Sequence, residues 1–448
     1  MELKRKRVLV VGLGKTGVAL AEFLTKRGAT VVISDNKPAS ELRENIDALK
    51  GMKVTVDVGR HDIDILSQVD LIIPSPGVPP FNELITEGLK RGIPVISEIE
   101  LAFSFITEPI IAITGTNGKT TTTQLIGEIL KQWGEKVFVG GNIGTPLIEY
   151  VDEGKRADCV VVEVSSFQLQ WVEHFRPSVA ILLNASIDHL DYHPSFEEYV
   201  SVKERIFLNQ VPGDLAILNA DDMMSEKVSR KVKGDMLYFS SSKKLEKGIF
   251  VDNNVLRYRN DGGIEEEYPV DKIQIRGVHN LENSMAAVVA SRRFGCPRAV
   301  IVEALASFKG IPHRVEFVRS TNAVEFYDDS KGTNVDAVKR ALESFSGSVI
   351  LLMGGRDKGG DFGILAGLMR EKVKKLVLFG EARGIIRSFL EGSVEVESTE
   401  NLKKAVEAAY GSSSPGDVIL LSPGCSSFDE FTNYKERGNY FKEIVRGL

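Results

Sequence analysis

Short, wholly apolar runs alternate along this chain with longer stretches in which apolar residues recur every three or four positions. Runs at 8–11, 31–34, 71–73, 94–96 and 110–113 are too apolar for strands with one solvated face, and a further strand is expected near 53–56. They fit parallel strands covered on both sides, and the same holds for runs at 159–164, 181–184, 349–355, 375–380 and 417–424. Helical periodicity fills the intervals, at 18–27, 121–133, after Ser195, at 279–295 and from about 335 onward. Strand and helix in alternation predict open α/β sheets. Residues 236–276 break the rhythm, with β-type alternation and turns at DNN and DGG, and predict a small side β-sheet.

A chain of 448 residues accommodates about three domains. The pattern divides at 1–98, 99–310 and 311–448. The first predicts a Rossmann-like sheet, the second a P-loop ATPase-like α/β domain with the side sheet, and the third another open, Rossmann-like α/β domain.

The chemistry concentrates in IIAITGTNGKTTTT at 110–123. A buried strand runs into Gly115, Thr116, Asn117, Gly118, Lys119 and Thr120, and a helix begins near Thr121. Free N–H groups and the helix dipole at such a start face an anion. Lys119 supplies a point charge for the β- and γ-phosphates of ATP, and the Thr120 hydroxyl can ligate Mg²⁺. The loop is shorter than a standard P-loop, with Ile113 where the first glycine would stand.

A second glycine turn lies in RVLVVGLGKTG, where Gly12, Gly14 and Gly17 form a G-x-G-x-x-G and Asp35 ends the next strand. Alone it predicts a nicotinamide-dependent dehydrogenase. Its physics demands only a diphosphate, and a UDP-sugar meets that demand equally well. The ATP loop arrives already at Gly115, which leaves too few residues before it for a two-lobed dinucleotide domain.

Three further features point to a metal-assisted phosphate site. Glu163 interrupts the apolar run CVVVEV, where a carboxylate needs a partner or a metal. The stretch from 185 to 194 holds Asp188, His189, Asp191 and His193 at the carboxyl end of a strand. His189 is expected to face the metal and phosphates, and His193 to be structural. The helix after Ser195, opened by a Ser195–Glu198 capping box, places Lys203 in the middle of an apolar face of Phe196, Tyr199, Val200, Ile206 and Phe207. In the helix from 279, Asn280 or Asn283 is expected to serve as cap.

Composition narrows the picture a little. Apolar content of 43%, charged content of 26% and a formal charge of −6 describe an ordinary globular protein without a net basic character for nucleic acid. The scattered cysteines, Cys159, Cys296 and Cys425, read as reduced thiols. The basic N-terminus continues into the first glycine turn and reads as a strand, and no run has membrane-spanning length. A cytoplasmic monomer working on small molecules, with no nucleic acid or membrane partner, is the expectation.

GLGKTG, SPG, GTNGKTT, GGNIG, EVSSFQL, DHLD, HN-x-x-N, PHR, DDSKGTN and LLSPGCSSFDEF, in that order along the chain, together resemble the Mur ligase superfamily and most its D-glutamate-adding branch. The resemblance implies ATP-dependent joining of D-glutamate to UDP-MurNAc-L-Ala through an acyl phosphate. It implies that Gly115–Thr121, Asn283, Arg314 and Asp329 hold ATP. The UDP substrate falls to Gly14, Lys15, Thr16, Asp35, Asn36, Lys37, Ser75, Pro76, Gly77 and Asn142. Two Mg²⁺ ions fall to Thr120, Glu163, His189 and Lys203, with Lys203 carbamylated by CO₂. The amino acid falls to His189, Thr333, Lys358, Ser427, Phe428 and Tyr434; the family pattern has Asp at the position of Arg356 and Phe at that of Tyr434.

Overall fold

The structure, a computed structural model, describes residues 1–189, 192–260, 265–275 and 277–448. Two compact units are present: one of residues 1–270 with 282–305, the other of 271–281 with 306–448. Three sheets carry the fold, two of them in the first unit.

The N-terminal sheet is parallel, in the order β3-β2-β1-β4, from β1 (Arg7–Val11), β2 (Thr30–Asp35), β3 (Val54–Val58) and β4 (Leu71–Pro74). The expected strand at 94–96 is reduced to one parallel bridge, Val95 to Ile72. Pro94 has no N–H to extend the ladder, and Ser97 at once caps the helix Glu98–Phe103.

The second sheet has nine strands: β5 (Ile110–Thr114), β6 (Val137–Gly141), β7 (Cys159–Glu163), β8 (Val179–Leu182), β9 (Leu215–Asn219), β10 (Asp235–Ser240), β11 (Gly248–Asp252), β12 (Val255–Arg259) and β13 (Glu265–Pro269). Their order is β13-β12-β11-β10-β9-β8-β5-β7-β6. The predicted side sheet is therefore a continuation of the main one. β10 pairs in parallel with β9, and β11 joins β10 where Gly248 (φ +121°) lets the backbones close up; a Cβ there would lie 2.1 Å from the Tyr238 carbonyl oxygen. The DNN turn is a two-residue hairpin with Asn253 and Asn254 both left-handed, at φ 51° and 63°. The DGG turn lies outside the described residues.

The second unit is built on β14 (Glu316–Thr321), β15 (Val324–Asp328), β16 (Val349–Gly354), β17 (Val373–Phe379), β18 (Val396–Ser398) and β19 (Val418–Gly424), ordered β14-β15-β19-β16-β17-β18. Only the edge strand β14 is antiparallel to its neighbour. Helices cover both faces, and separate apolar clusters fill the two layers.

Both glycine turns enter their helices earlier than the sequence pattern indicates. The helices are Lys15–Lys26 and Lys119–Gln132, so each lysine occupies the first turn directly after a glycine cap. Asn280 and Asn283 lie inside the helix Val278–Arg293, and neither is its cap. Ser195 does accept from the Glu198 N–H at 3.1 Å, which forms one half of the expected capping box. All three cysteines are buried and free; burial pushes the Cys159 and Cys425 thiols up to about 12. Among the described residues no helix is long and apolar enough to cross a membrane.

Candidate active site

At the carboxyl ends of β5, β7 and β8 the predicted phosphate loop is held by its neighbours as well as by its own Lys119. Asn184, two residues beyond β8, accepts from the Asn117 N–H at 2.9 Å and donates to the Asn117 carbonyl at 3.1 Å. The Thr116 hydroxyl lies 3.1 Å from the Tyr199 hydroxyl. Gly118 is left-handed (φ +86°), and a Cβ there would lie 2.2 Å from Asn283 Oδ1. A non-glycine residue is thus excluded twice at this position. Asn283 also accepts from the Thr122 hydroxyl at 3.2 Å.

Glu163 closes β7 at 2% exposure and is a point of convergence. Its Oε2 accepts from the Thr120 hydroxyl at 2.7 Å and its Oε1 from the Asn142 side-chain amide at 2.8 Å, while the Asn142 N–H donates to its carbonyl at 2.9 Å. A carboxylate and a hydroxyl at this separation form a hard-oxygen donor pair of the kind Mg²⁺ prefers. Asn142, expected on the UDP substrate, is thereby placed beside the expected metal ligands.

Lys203 is buried to 1%. Its Nζ donates to the Gly115 carbonyl at 2.9 Å and lies 4.5 Å from the Tyr199 ring centroid. Burial holds its pKa well below the ordinary lysine value; Lys119 pushes the same way, and Asp188 and Glu163 oppose. Lys119 Nζ donates to the Gly115 and Thr116 carbonyls at 2.8 and 2.9 Å. His189 sits at φ +53°, with its ring edge-on to Phe167 at 4.9 Å and Nε2 3.7 Å from Asp188 Oδ2. His193 is buried against the Ser166 hydroxyl at 3.0 Å. Asp191 lies outside the described residues.

In the N-terminal turn, Asp35 and Ser75 are engaged in shaping the loop. Asp35 accepts from the N–H groups of Leu13 (2.7 Å) and Lys37 (2.9 Å), and the Ser75 hydroxyl donates to the Gly12 carbonyl (2.7 Å). Gly12 is left-handed at φ +99°, and a Cβ on Gly17 would lie 2.3 Å from its carbonyl. Lys15 Nζ donates to the Gly144 carbonyl at 2.7 Å, tying this turn to GGNIG. Around Gly14 a Cβ would meet nothing, so the turn is open there. Thr16 and Pro76 are half-buried; Asn36 and Lys37 are exposed, and Gly77 turns at φ +92°.

In the second unit, Asp329 is buried, accepting from the Ser422 hydroxyl at 2.7 Å and the Val315 N–H at 3.3 Å. Burial raises its pKa to about 7, against a lowering influence from Ser422 and the Arg314 charge. Thr333 precedes the helix Val335–Glu343, which Asn334 caps. Arg356 makes a bidentate pair with Glu381 at 2.9 and 3.0 Å. Lys358 is exposed and makes no ion pair among the described residues. Ser427 is buried and Phe428 is 61% exposed. Lys331 Nζ lies 4.1 Å from the Tyr434 ring centroid. His313, Glu316 and Asp328 lie close enough together to hold a cation, but the Lys442 ammonium already occupies that position, 2.5 Å from Glu316 and 3.6 Å from Asp328.

Family profiles match in the same order as the sheets: a MurD-like N-terminal domain over residues 6–97, the Mur ligase middle domain over 113–291, and the Mur ligase glutamate ligase domain over 313–425. A UDP-N-acetylmuramoylalanine–D-glutamate ligase of Syntrophus aciditrophicus is 53% identical, covering 100% of this chain and 99% of that relative. The chain belongs to the Mur ligase family. The Geotalea uraniireducens ligase of the same name is 46% identical over 100% of this Mur ligase and 99% of its own length. Among solved structures, MurF ligase from Thermotoga maritima in complex with ADP shares the fold, with a TM-score of 0.63 at 17% identity over 99% of both chains. A pseudomurein peptide ligase type C from Methanothermus fervidus does so at 0.62 and 21%, over 99% of this chain and 100% of that one.

Several residues that shape the loops of each unit escaped the sequence reading. Asn184 was hidden by distance in sequence from the loop it pins, although an asparagine ending an apolar strand was a signal. Glu98 accepts from the Ile148 N–H at 2.6 Å and fixes the helix that follows GGNIG. Arg437 shares a helix face with Phe441 and Val445, so an arginine at the head of an apolar stripe was the available sign.

Proposed function

We propose that this Mur ligase joins D-glutamate to the L-alanyl carboxylate of UDP-N-acetylmuramoyl-L-alanine, with ATP converted to ADP and phosphate, in building a peptidoglycan precursor. The observation that carries the reading is the convergence of Thr120, Asn142 and Glu163 directly behind the Gly118–Lys119 helix start. A phosphate loop, a buried carboxylate and the Asn142 amide, proposed to contact the substrate, at one point suit phosphorylation of a carboxylate.

A carboxylate is inert to amines because oxide is its leaving group. Phosphoryl transfer from ATP makes the acyl phosphate, the D-glutamate nitrogen attacks its carbonyl carbon, and phosphate departs. The amine must shed a proton as the amide forms. Phosphoryl transfer requires in-line positioning and charge neutralisation. The N–H groups at the start of Lys119–Gln132 and the Lys119 ammonium bind and orient the phosphates. Thr120 and Glu163 fit Mg²⁺, with His189 and a carbamate on Lys203 as the further proposed ligands for two ions; bound Mg²⁺ supplies charge stabilisation of the transferred group. The low pKa of Lys203 supports the carbamate, because only a neutral amine adds to CO₂.

Asn283, Arg314 and Asp329 are the proposed contacts to the nucleotide. The open turn at Gly14, with Lys15, Thr16, Asp35, Asn36, Lys37 and Ser75–Gly77, is the proposed UDP site. Thr333, Lys358, Ser427, Phe428 and Tyr434 are the proposed amino-acid contacts. Among the cations here Lys358 is the one open to a side-chain carboxylate, since Arg356 is already matched by Glu381. The division into 1–98, 99–310 and 311–448 and the cytoplasmic, monomeric state belong to the same proposal.

The test is ADP release with ATP, Mg²⁺ and UDP-MurNAc-L-Ala against a panel of D- and L-amino acids. Turnover that depends on D-glutamate is the expected result. Turnover with a basic amino acid instead would overturn the acceptor and keep the ligase.

A further inference from the structure

The helix Tyr434–Arg446 carries a charge for which the proposed mechanism has no use. Arg437 is the largest side chain among those fully buried in the described structure. Stripping water from a guanidinium costs several kcal/mol unless its donors are matched. Its hydrogen-bond partners are carbonyls, all reached through Nη1 and Nη2, while the buried Nε has none. Nη2 donates to the Ser330 carbonyl at 2.9 Å and to that of Cys425 at 3.1 Å, and Nη1 approaches the Gly354 carbonyl at 3.5 Å.

Those three carbonyls stand at the carboxyl ends of three adjacent strands. Ser330 lies just past β15, Gly354 ends β16, and Cys425 follows β19. Each is the root of a loop with a proposed amino-acid contact: Thr333 on the first, Lys358 on the second, Ser427 and Phe428 on the third. Tyr434 sits one turn before Arg437 on the same helix. The backbone closes on the guanidinium at Gly355, where a Cβ would lie 3.0 Å from Nη1. Asp429, Asp328 and Asp329 favour its charge from nearby, and burial lowers its pKa only to about 10, so it stays cationic at neutral pH.

We propose that Arg437 is a positioning residue for the incoming amino acid, its guanidinium holding three strand-end loops at the spacing that lets Thr333, Lys358 and Ser427 meet one small dicarboxylate. The inference rests on the ligase reading given above. The two Nη groups of a planar fork serve carbonyls lying in different directions at once; an ammonium on a flexible stem cannot hold the same geometry.

The experiment compares R437K and R437M with wild type in KM for D-glutamate, for ATP and for the UDP substrate, in kcat, and in Tm. Borohydride trapping of the acyl phosphate without D-glutamate reads the first half-reaction separately. The expected result is a KM for D-glutamate raised tenfold or more in both variants, with the other two KM values within threefold and trapping near wild type. Three KM values rising together, or a fall in Tm with all three unchanged, overturns the proposal. R437K keeps the charge and the stem, so it decides the matter should R437M fail to fold. Failure of the ligase reading is visible separately, as wild type without D-glutamate-dependent turnover. The same KM ratio is then measured for whichever amino acid supports turnover, and an unchanged value there also overturns the clamp.

Discussion

Lys119 and Lys203 donate to one carbonyl oxygen, that of Gly115, at 2.8 and 2.9 Å. Two ammonium groups on one acceptor repel, and the one without solvent loses its proton more readily. Lys203 is that one. The expected outcome is a native mass carrying a carbamate on Lys203, and a folded but inactive Lys203→Ala enzyme that regains activity with short carboxylates. A folded K203A protein that no carboxylate revives would falsify the carbamate.

Lys119 donates to the Gly115 and Thr116 carbonyls of its own loop, away from the apolar core. Lys119→Ala should therefore fold with Tm close to wild type and lose several decades in kcat, each decade being about 1.4 kcal/mol of transition-state stabilisation. A kcat within tenfold of wild type means the phosphates lie elsewhere.

Glu163→Gln keeps an acceptor for the Thr120 hydroxyl while removing the charge. Its half-saturating Mg²⁺ concentration should rise at least tenfold, and chelation of Mg²⁺ should silence the wild type. A Mg²⁺ titration of the variant that overlays the wild-type curve rules Glu163 out as a ligand.

Glu98 offers a pH test outside the reacting groups. Burial pushes its carboxyl up to about 7, against hydrogen bonds from Ile148 and Gln168. In the unfolded chain it titrates near 4.5, so between these values the folded state binds more protons. Its contribution is full below about 4.5 and is lost as pH rises through about 7, with a slope of up to about 1.4 kcal/mol per pH unit. Tm measured from pH 5 to pH 8 should fall less steeply in Glu98→Gln than in wild type. Parallel curves would remove Glu98 as the titrating group.

Lys358 and Arg356 stand two residues apart and should behave differently. Lys358→Ala should raise KM for D-glutamate tenfold or more, because an unmatched cation is removed. Arg356→Ala should change it little, since the guanidinium is bidentate with Glu381 on the surface. Equal effects from the two variants would show that Arg356 also reaches the substrate.

Much of this was legible from local pattern. The all-apolar strands, the glycine turns and the lysine at 203 each carry their signal within a few residues, so periodicity exposes them. The run at 94–96 misled because one proline withholds the donor a ladder needs. Residues 236–276 were recognisable as strands, but alternation does not say which edge a strand joins; Gly248 decides that through a contact with Tyr238. The early helix starts at Lys15 and Lys119 were missed because a glycine cap leaves no side-chain signature. Partnerships such as Lys15 with Gly144, Asn184 with Asn117 and Arg437 with Ser330 join residues far apart in sequence, and the fold alone brings them together.

The strand that ends the nine-stranded sheet, β13, reads Glu-Glu-Glu-Tyr-Pro. Glu265 and Glu267 turn outward and pair with Arg257 on β12, while Tyr268 is buried and Pro269 offers no N–H. An incoming strand would meet a row of carboxylates and a missing donor where it needs a regular ladder. Two copies of this enzyme therefore cannot readily zip their broad sheets together at this rim, and crowding at high concentration is resisted by the same five residues that finish the fold.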